Sequence, residues 1–388
     1  MPFPISLPMG FTHEQLNVLL LTCSREKVAD ITMQSGDYIW ARHNRTYIRV
    51  TDRHLQDIEV DMIVGWLYAN VGTAELLAGN ALDFRAKAYE SRDDIKYFRA
   101  NAVRARVRNV DNGVQITLRT IPEHPPTLVQ LGIEPEIVDN FFPRYGLVLI
   151  VGTTGSGKST LLASGNRWRL EERRHDPVKI ITFEDPIEYT YAGLADGHMP
   201  EPAQTEVGRG HHLTDFERAG PNAMRRAADV IVMGEMRDTA SVDTGFEMAM
   251  TGHSTYSTLH VDTPAEAVDR IISFYPFGAQ ASTANKLLSI LRLVVAQKLA
   301  RRKDGGVIAF RAWMVFDQEV RRKLAAIPFS DWAGFIRDAC RVGKTNFESQ
   351  VERAYHAGFI TFETAREVAS LTVQEARELL NVEGEANG

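Results

Sequence analysis

The chain has 388 residues, 44% of them apolar, with 44 Lys plus Arg against 50 Asp plus Glu and a net charge of −6. This length predicts two or three domains with cores of their own, and the acidic balance argues against nucleic acid as the main ligand while leaving room for a local basic channel. Cys23 and Cys340 lie far apart without C-x-x-C spacing, so neither a disulfide framework nor a zinc site is expected and a reducing cytoplasm fits.

Residues 1–121 read as a small mixed domain. A helix is expected from Glu14 to Cys23, β-leaning segments at Asp30 to Met33 and Tyr47 to Val50, a helix near Asp61 to Tyr68, and strands over Tyr97 to Arg106 and Val114 to Thr120. Pro122, Pro125, Pro126, Pro135 and Pro143 then interrupt regular structure and mark an interdomain hinge over 122–143. From 144 to 317, strands at Gly146 to Val151, Val178 to Phe183, Val230 to Met233 and Ser254 to Leu259 alternate with helices, the pattern of a parallel α/β sheet. Residues 318–388 turn helical, with short helices over Asp331 to Val342, Asn346 to Ala357 and Phe362 to Ala369.

Gly152-Thr153-Thr154-Gly155-Ser156-Gly157-Lys158-Ser159 fills every fixed position of the phosphate-binding pattern G-x-x-x-x-G-K-[ST]. Glycines let backbone N–H groups fold inward around phosphate oxygens, Lys158 reaches the terminal phosphates, and the Ser159 hydroxyl can ligate Mg²⁺. A buried-type strand precedes the loop, and a helix beginning near Thr160 follows it and adds a partial positive charge at its N-terminus. ATP with Mg²⁺ is therefore the expected ligand.

Three further segments carry chemistry. The strand over Val230 to Met233 runs into Gly234-Glu235-Met236-Arg237-Asp238, where many phosphate-loop enzymes place an Asp that helps hold Mg²⁺. Gly234 occupies that position, and Asp229 lies at the wrong end of the strand, roughly 20 Å from Glu235. Glu235 is thus the candidate that orients or deprotonates the attacking water. Phe183-Glu184-Asp185-Pro186-Ile187-Glu188 crowds three acids at another strand end, which a nearby Mg²⁺ or a solvated turn would relieve. His253 and His260 flank the hydroxyl-rich strand Ser254 to Leu259 at an odd spacing that sends them to opposite faces. His260, at the carboxyl end, is the better phosphate sensor.

These four blocks, in this order, resemble the Walker A, Asp-box, atypical Walker B and His-box motifs of the secretion ATPase superfamily, whose members power type II and type IV secretion and type IV pilus movement. The resemblance covers nearly the whole chain. It is strongest toward DotB-like ATPases of type IVB secretion and conjugation, through Val294-Val295-Ala296-Gln297-Lys298-Leu299 and Val315-Phe316-Asp317-Gln318-Glu319-Val320-Arg321. It implies an α/β fold: a PAS-like α+β N-terminal domain hinged to a RecA-like P-loop NTPase domain with C-terminal helices. It also implies a homo-hexameric cytoplasmic ATPase in which Lys158 and Ser159 hold phosphates and Mg²⁺, Glu235 handles the water, and Glu184 with His260 senses the terminal phosphate. N-terminal-domain arginines, for which Arg104 and Arg119 are the candidates, would spread positive charge over the phosphoryl oxygens in the transition state.

Partners implied by the resemblance are inner-membrane and cytoplasmic components of a secretion or pilus machine, with the protein peripheral at the inner membrane. No apolar run approaches the roughly 18 residues that span a bilayer, and Met1-Pro2-Phe3-Pro4 lacks the basic start of a secretory signal. A pilus retraction motor and a RecA-like nucleic-acid translocase are the alternatives. The tetracysteine motif of assembly-type relatives is absent, and Trp332-Ala333-Gly334-Phe335-Ile336-Arg337-Asp338 does not reproduce the Ala-Ile-Arg-Asn-Leu motif of retraction motors.

Overall fold

A computed structural model describes residues 3–8, 10–43, 46–68, 71–92, 94–122, 124–173, 175–208 and 212–382. It resolves into two units, Met1–His124 with Pro186–Thr190, and Pro125–Asp185 with Tyr191–Gly388.

Period-two alternation builds the first unit. Its elements are α1 (His13–Arg25), β1 (Asp30–Gln34), β2 (Trp40–His43), β3 (Thr46–Arg49), α2 (Asp57–Leu67), α3 (Gly72–Leu77), β4 (Leu82–Tyr89), β5 (Ile95–Val107) and β6 (Val110–Thr120). The strands form one antiparallel six-stranded sheet in the order β3-β2-β1-β6-β5-β4. In β4, Leu82, Phe84, Ala86 and Ala88 are buried while Asp83 and Lys87 are exposed, so one face packs on α1 and α2 and the other stays polar. The strands β2 and β4 were not expected. The sequence of β4 hides its alternation, because two of its four core positions are alanines, which carry little strand preference.

The second unit is a RecA-like α/β layer. It comprises α4 (Pro135–Asn140), β7 (Gly146–Val151), α5 (Lys158–Glu172), β8 (Ile180–Glu184), β9 (Ala203–Glu206), α6 (Ala219–Arg225), β10 (Val230–Met233), α7 (Thr239–Met250), β11 (Ser254–Leu259), α8 (Pro264–Ser273), α9 (Phe277–Ile290), β12 (Leu291–Arg301) and β13 (Val307–Val315). The helices α10 (Gln318–Ala325), α11 (Trp332–Val342), α12 (Phe347–His356), α13 (Phe362–Ala369) and α14 (Val373–Leu380) complete it. Its sheet runs β13-β12-β7-β11-β10-β8-β9, parallel throughout except for β13. Every residue of β7, β10 and β11 is buried, as strands covered on both faces require.

Two domain boundaries shift. Residues 125–143, inside the interdomain hinge expected over 122–143, group with the second unit. Arg167 donates to the Pro125 carbonyl at 2.7 Å, Trp313 Nε1 to Glu136 at 3.1 Å, and Tyr256 Oη to the Phe141 carbonyl at 2.6 Å. The Pro125 and Phe141 carbonyls thereby gain donors that no ladder supplies, while Trp313 bonds the Glu136 side chain. The region after 317 is likewise no separate body, since Leu324, Trp332, Phe347, Ile360 and Leu380 share one core with Leu149 and Val294.

The first unit carries a titratable clasp. Glu59, 3% exposed, accepts from both Arg53 Nη atoms at 2.7 and 2.8 Å and from the N–H groups of Gln56 and Phe11. The Arg53 guanidinium, helped by those N–H groups and opposed by burial, pulls its carboxyl from 4.5 down to about 2. A depressed carboxylate contributes stability that is complete above its ordinary value and is lost as pH falls toward the folded one. Melting Glu59→Gln beside the unsubstituted chain should therefore show a Tm deficit that is largest near about pH 7 and shrinks toward about pH 3; a deficit independent of pH would contradict this role.

Candidate active site

The glycine loop leaves the end of β7 and turns into α5. Gly152, Gly155 and Gly157 have φ of +148°, +79° and +84°, values that side-chain-bearing residues rarely adopt. Close approach adds a second requirement at two of them: a Cβ on Gly152 would meet the Gln297 carbonyl oxygen at 2.4 Å, and one on Gly157 would meet Gln297 Nε2 at 2.8 Å. Lys158 is buried, and its Nζ donates to the carbonyls of Gly152 and Thr153 at 2.8 and 3.0 Å, which holds the ammonium over the loop. Thr153, Thr154, Gly155 and Ser159 are exposed around it, with Thr160 half-buried. The buried Ser156 hydroxyl has no hydrogen-bond partner among the described residues. A glycine cradle, a buried ammonium and a helix N-terminus fit a polyphosphate.

The same sheet edge receives the acidic residues. Gly234 N–H donates to the Phe183 carbonyl at 2.7 Å, and Thr258 Oγ1 donates to the Gly234 carbonyl at 2.7 Å. A Cβ on Gly234 would sit 3.3 Å from the Phe183 oxygen, a tight approach. Glu235 Oε1 lies 3.4 Å from His260 Nε2, Glu235 Oε2 lies 3.1 Å from Arg237 Nε, and Arg237 Nη2 lies 3.1 Å from Asp185 Oδ2. Burial opposes the Arg237 charge, but Glu235 and Asp185 outweigh it and hold its pKa above the ordinary value. No group of three or more His, Cys, Asp or Glu that could hold a metal occurs among the described residues. A Mg²⁺ here would take the exposed Ser159 hydroxyl together with phosphate oxygens and water, the usual habit of this ion.

Sequence reasoning brought Glu235 and His260 to this edge, and they touch. It gives Glu184 a part with His260 in sensing the terminal phosphate; Glu184 Oε1 accepts from Thr182 Oγ1 and Gln204 Nε2. Asp185, the next residue, is the acid that joins the Glu235 cluster, through Arg237. Neither Asp185 nor Arg237 was singled out, although each stands in a quoted block; only the spacing of β8 and β10 as paired neighbours connects them.

The two candidate arginines of the first unit do not share a face. Arg104 lies on the side of Ala100 and Ala102, where Nη2 pairs with Asp61 at 3.1 Å and Nη1 donates to the Asn112 carbonyl at 2.8 Å. Arg119 lies on the open side, 65% exposed, with Nε 2.8 Å from Asp30. Its register neighbours form a row across five strands: Arg85, Arg99, Arg119, Asp30, Arg42. The other three arginines of this row were missed, because registers set by strand pairing are not written in any one segment.

A family model described as type II/IV secretion system protein matches residues 95–324. The chain is 30% identical over 277 residues to the type IV pilus retraction ATPase PilT of Pseudomonas aeruginosa, covering 71% of this chain and 76% of PilT. It is 34% identical over 236 residues to the uncharacterized Escherichia coli protein YggR, covering 61% of this chain and 67% of YggR. Among solved structures it resembles the ATPase DotB of Legionella pneumophila with a TM-score of 0.79 and 30% identity, over 94% of this chain and 97% of that one.

If Glu235 acts on the attacking water, Glu235→Gln should lower kcat by roughly 10²–10⁴-fold while nucleotide affinity stays near that of the unsubstituted chain. Single-turnover hydrolysis beside equilibrium nucleotide binding checks this, and unchanged turnover would remove Glu235 from the chemistry.

Proposed function

The chain is an ATPase of the type II/IV secretion system protein family, and from that premise we propose that it is the hexameric motor of a type IVB-like secretion or conjugation system. The observation that carries the reading is the Glu235–His260 pair at the strand end beside the phosphate loop. Likeness to DotB over nearly the full length of both chains supports the choice of system. The altered sequence at Trp332 to Asp338 speaks against the pilus-retraction alternative.

In this mechanism the loop N–H groups and Lys158 bind and orient the β- and γ-phosphates, and Ser159 ligates Mg²⁺. The metal, when bound, neutralises charge developing on the phosphoryl oxygens. Glu235 orients the water and accepts its proton; His260, with Nε2 3.4 Å from Glu235 Oε1, holds that carboxylate in place and faces the terminal phosphate. Arg237 fixes the other carboxylate oxygen and keeps Glu235 from swinging away. Glu184 sits one residue from the Asp185–Arg237 link and acts on the site through the strand end.

Of the two arginine candidates, Arg119 is the one we assign to the phosphates, because it is 65% exposed where Arg104 is 16% exposed. Hydrolysis then moves the two units, which the chain joins by crossings at 124–125, 185–186 and 190–191. The described residues contain no helix long and apolar enough to cross a membrane, so we propose attachment to the machine's inner-membrane components through protein contacts.

Two measurements test this reading. Light scattering with and without ATP and Mg²⁺ should give the mass of six chains under at least one condition; a monomer under both would refute the ring. Arg119→Ala should depress kcat by on the order of 10²-fold or more with little change in Tm, whereas Arg104→Ala should lower Tm first; equal effects on turnover would refute the division of roles.

A further inference from the structure

Gln297 and Arg311 stand directly opposite each other on the antiparallel pair β12 and β13, and both are buried, at 4% and 1% exposure. Gln297 Nε2 donates to the Ser156 carbonyl at 2.8 Å, and Gln297 Oε1 accepts from Arg311 Nε at 2.8 Å. The rest of the guanidinium is spent on one turn of the incoming segment: Nη1 donates to the Gly132 carbonyl at 3.2 Å and Glu134 Oε2 at 3.1 Å, and Nη2 to the Leu131 carbonyl at 3.0 Å. A single buried cation therefore joins the phosphate loop, through one amide, to the turn at 131–134.

An amide side chain can present either its oxygen or its nitrogen. Arg311 can only donate, so it draws Gln297 Oε1 to itself and leaves Nε2 for the loop. Ser156 C=O then points at Gln297. Because the peptide plane is rigid and trans, the N–H of Gly157 points the opposite way, away from β12. That N–H is one of the group that phosphate-loop chemistry needs turned toward the ligand.

A buried arginine is costly to desolvate, and apolar residues of similar volume often stabilise a fold as well or better. Stability alone therefore does not account for a guanidinium here. Its four hydrogen bonds instead fix two elements to each other.

We propose that Arg311 is a positioning residue for nucleotide binding: through Gln297 it sets the orientation of the Ser156–Gly157 peptide, and through Leu131, Gly132 and Glu134 it couples that orientation to the segment leading in from the first unit. The proposal rests on the reading of the loop as a nucleotide site. It makes the turn at 131–134 a reporter of loop occupancy and makes the loop sensitive to displacement of that turn.

The test uses the full chain, Mg²⁺ and a fluorescent ATP analogue, with Lys158→Ala as the binding-deficient control. Gln297→Glu keeps the partner of Arg311 and adds a second carboxylate, but it turns an oxygen toward the Ser156 carbonyl. It should weaken nucleotide binding tenfold or more while Tm stays at or above that of the unsubstituted chain, a split that loss of packing would not produce. In amide exchange, nucleotide should slow residues 131–134 in the unsubstituted chain and leave them unchanged in Arg311→Met. Should Arg311→Met not fold, Gln297→Glu decides the matter alone. Binding within twofold of the unsubstituted chain in a folded Gln297→Glu overturns this proposal only, whereas an unsubstituted chain that binds no nucleotide overturns the nucleotide reading and this proposal with it.

Discussion

Parallel pairing constrains everything in the second unit. Because β7, β8, β10 and β11 run in one direction, their carboxyl ends reach the same edge, and the residues that follow each strand become neighbours without being near in sequence. Gly152 follows β7, Asp185 follows β8, Gly234 and Glu235 follow β10, and His260 follows β11. The contact of His260 with Glu235, and of Arg237 with Asp185, is a product of register as much as of residue type.

That constraint also explains what could be read from the chain beforehand. Apolar runs mark Gly146 to Val151 and Val230 to Met233, and β-branched and aromatic residues mark the hydroxyl-rich Ser254 to Leu259, so all three were legible to the residue. The half-buried β4 was not, since alanine at its core positions blurs the alternation. The loop, Glu235 and His260 were legible because each belongs to a compact local pattern. Which acid of Glu184 and Asp185 enters the cluster depends on side-chain direction at a strand end, and which of Arg104 and Arg119 faces outward depends on the phase of an antiparallel ladder. Both are pairing properties, and a single segment does not contain them.

The proline-bearing segment shows the same limit from another side. Prolines report that a stretch cannot join a sheet or continue a helix, and a hinge is one way to satisfy that. Here residues 125–134 lie outside helix and strand, α4 follows, and the segment is fastened by Arg167, Trp313, Tyr256 and Arg311 of the second unit. The prolines leave residues 125–134 without helix or strand, and Pro135 opens α4.

The row of arginines on the open face of the first sheet has a thermodynamic consequence of its own. Arg85, Arg99 and Arg119 are directly opposed in sequence of strands, and like charges so placed repel. Asp30 and Glu188 offset this through contacts with Arg42, Arg119 and Arg99, and the Arg85 guanidinium lies over the Tyr97 ring. Ion pairing is therefore part of what lets these strands sit in register. Because Arg42, Arg99 and Arg119 are exposed to solvent, added salt screens the repulsion and the pairing together.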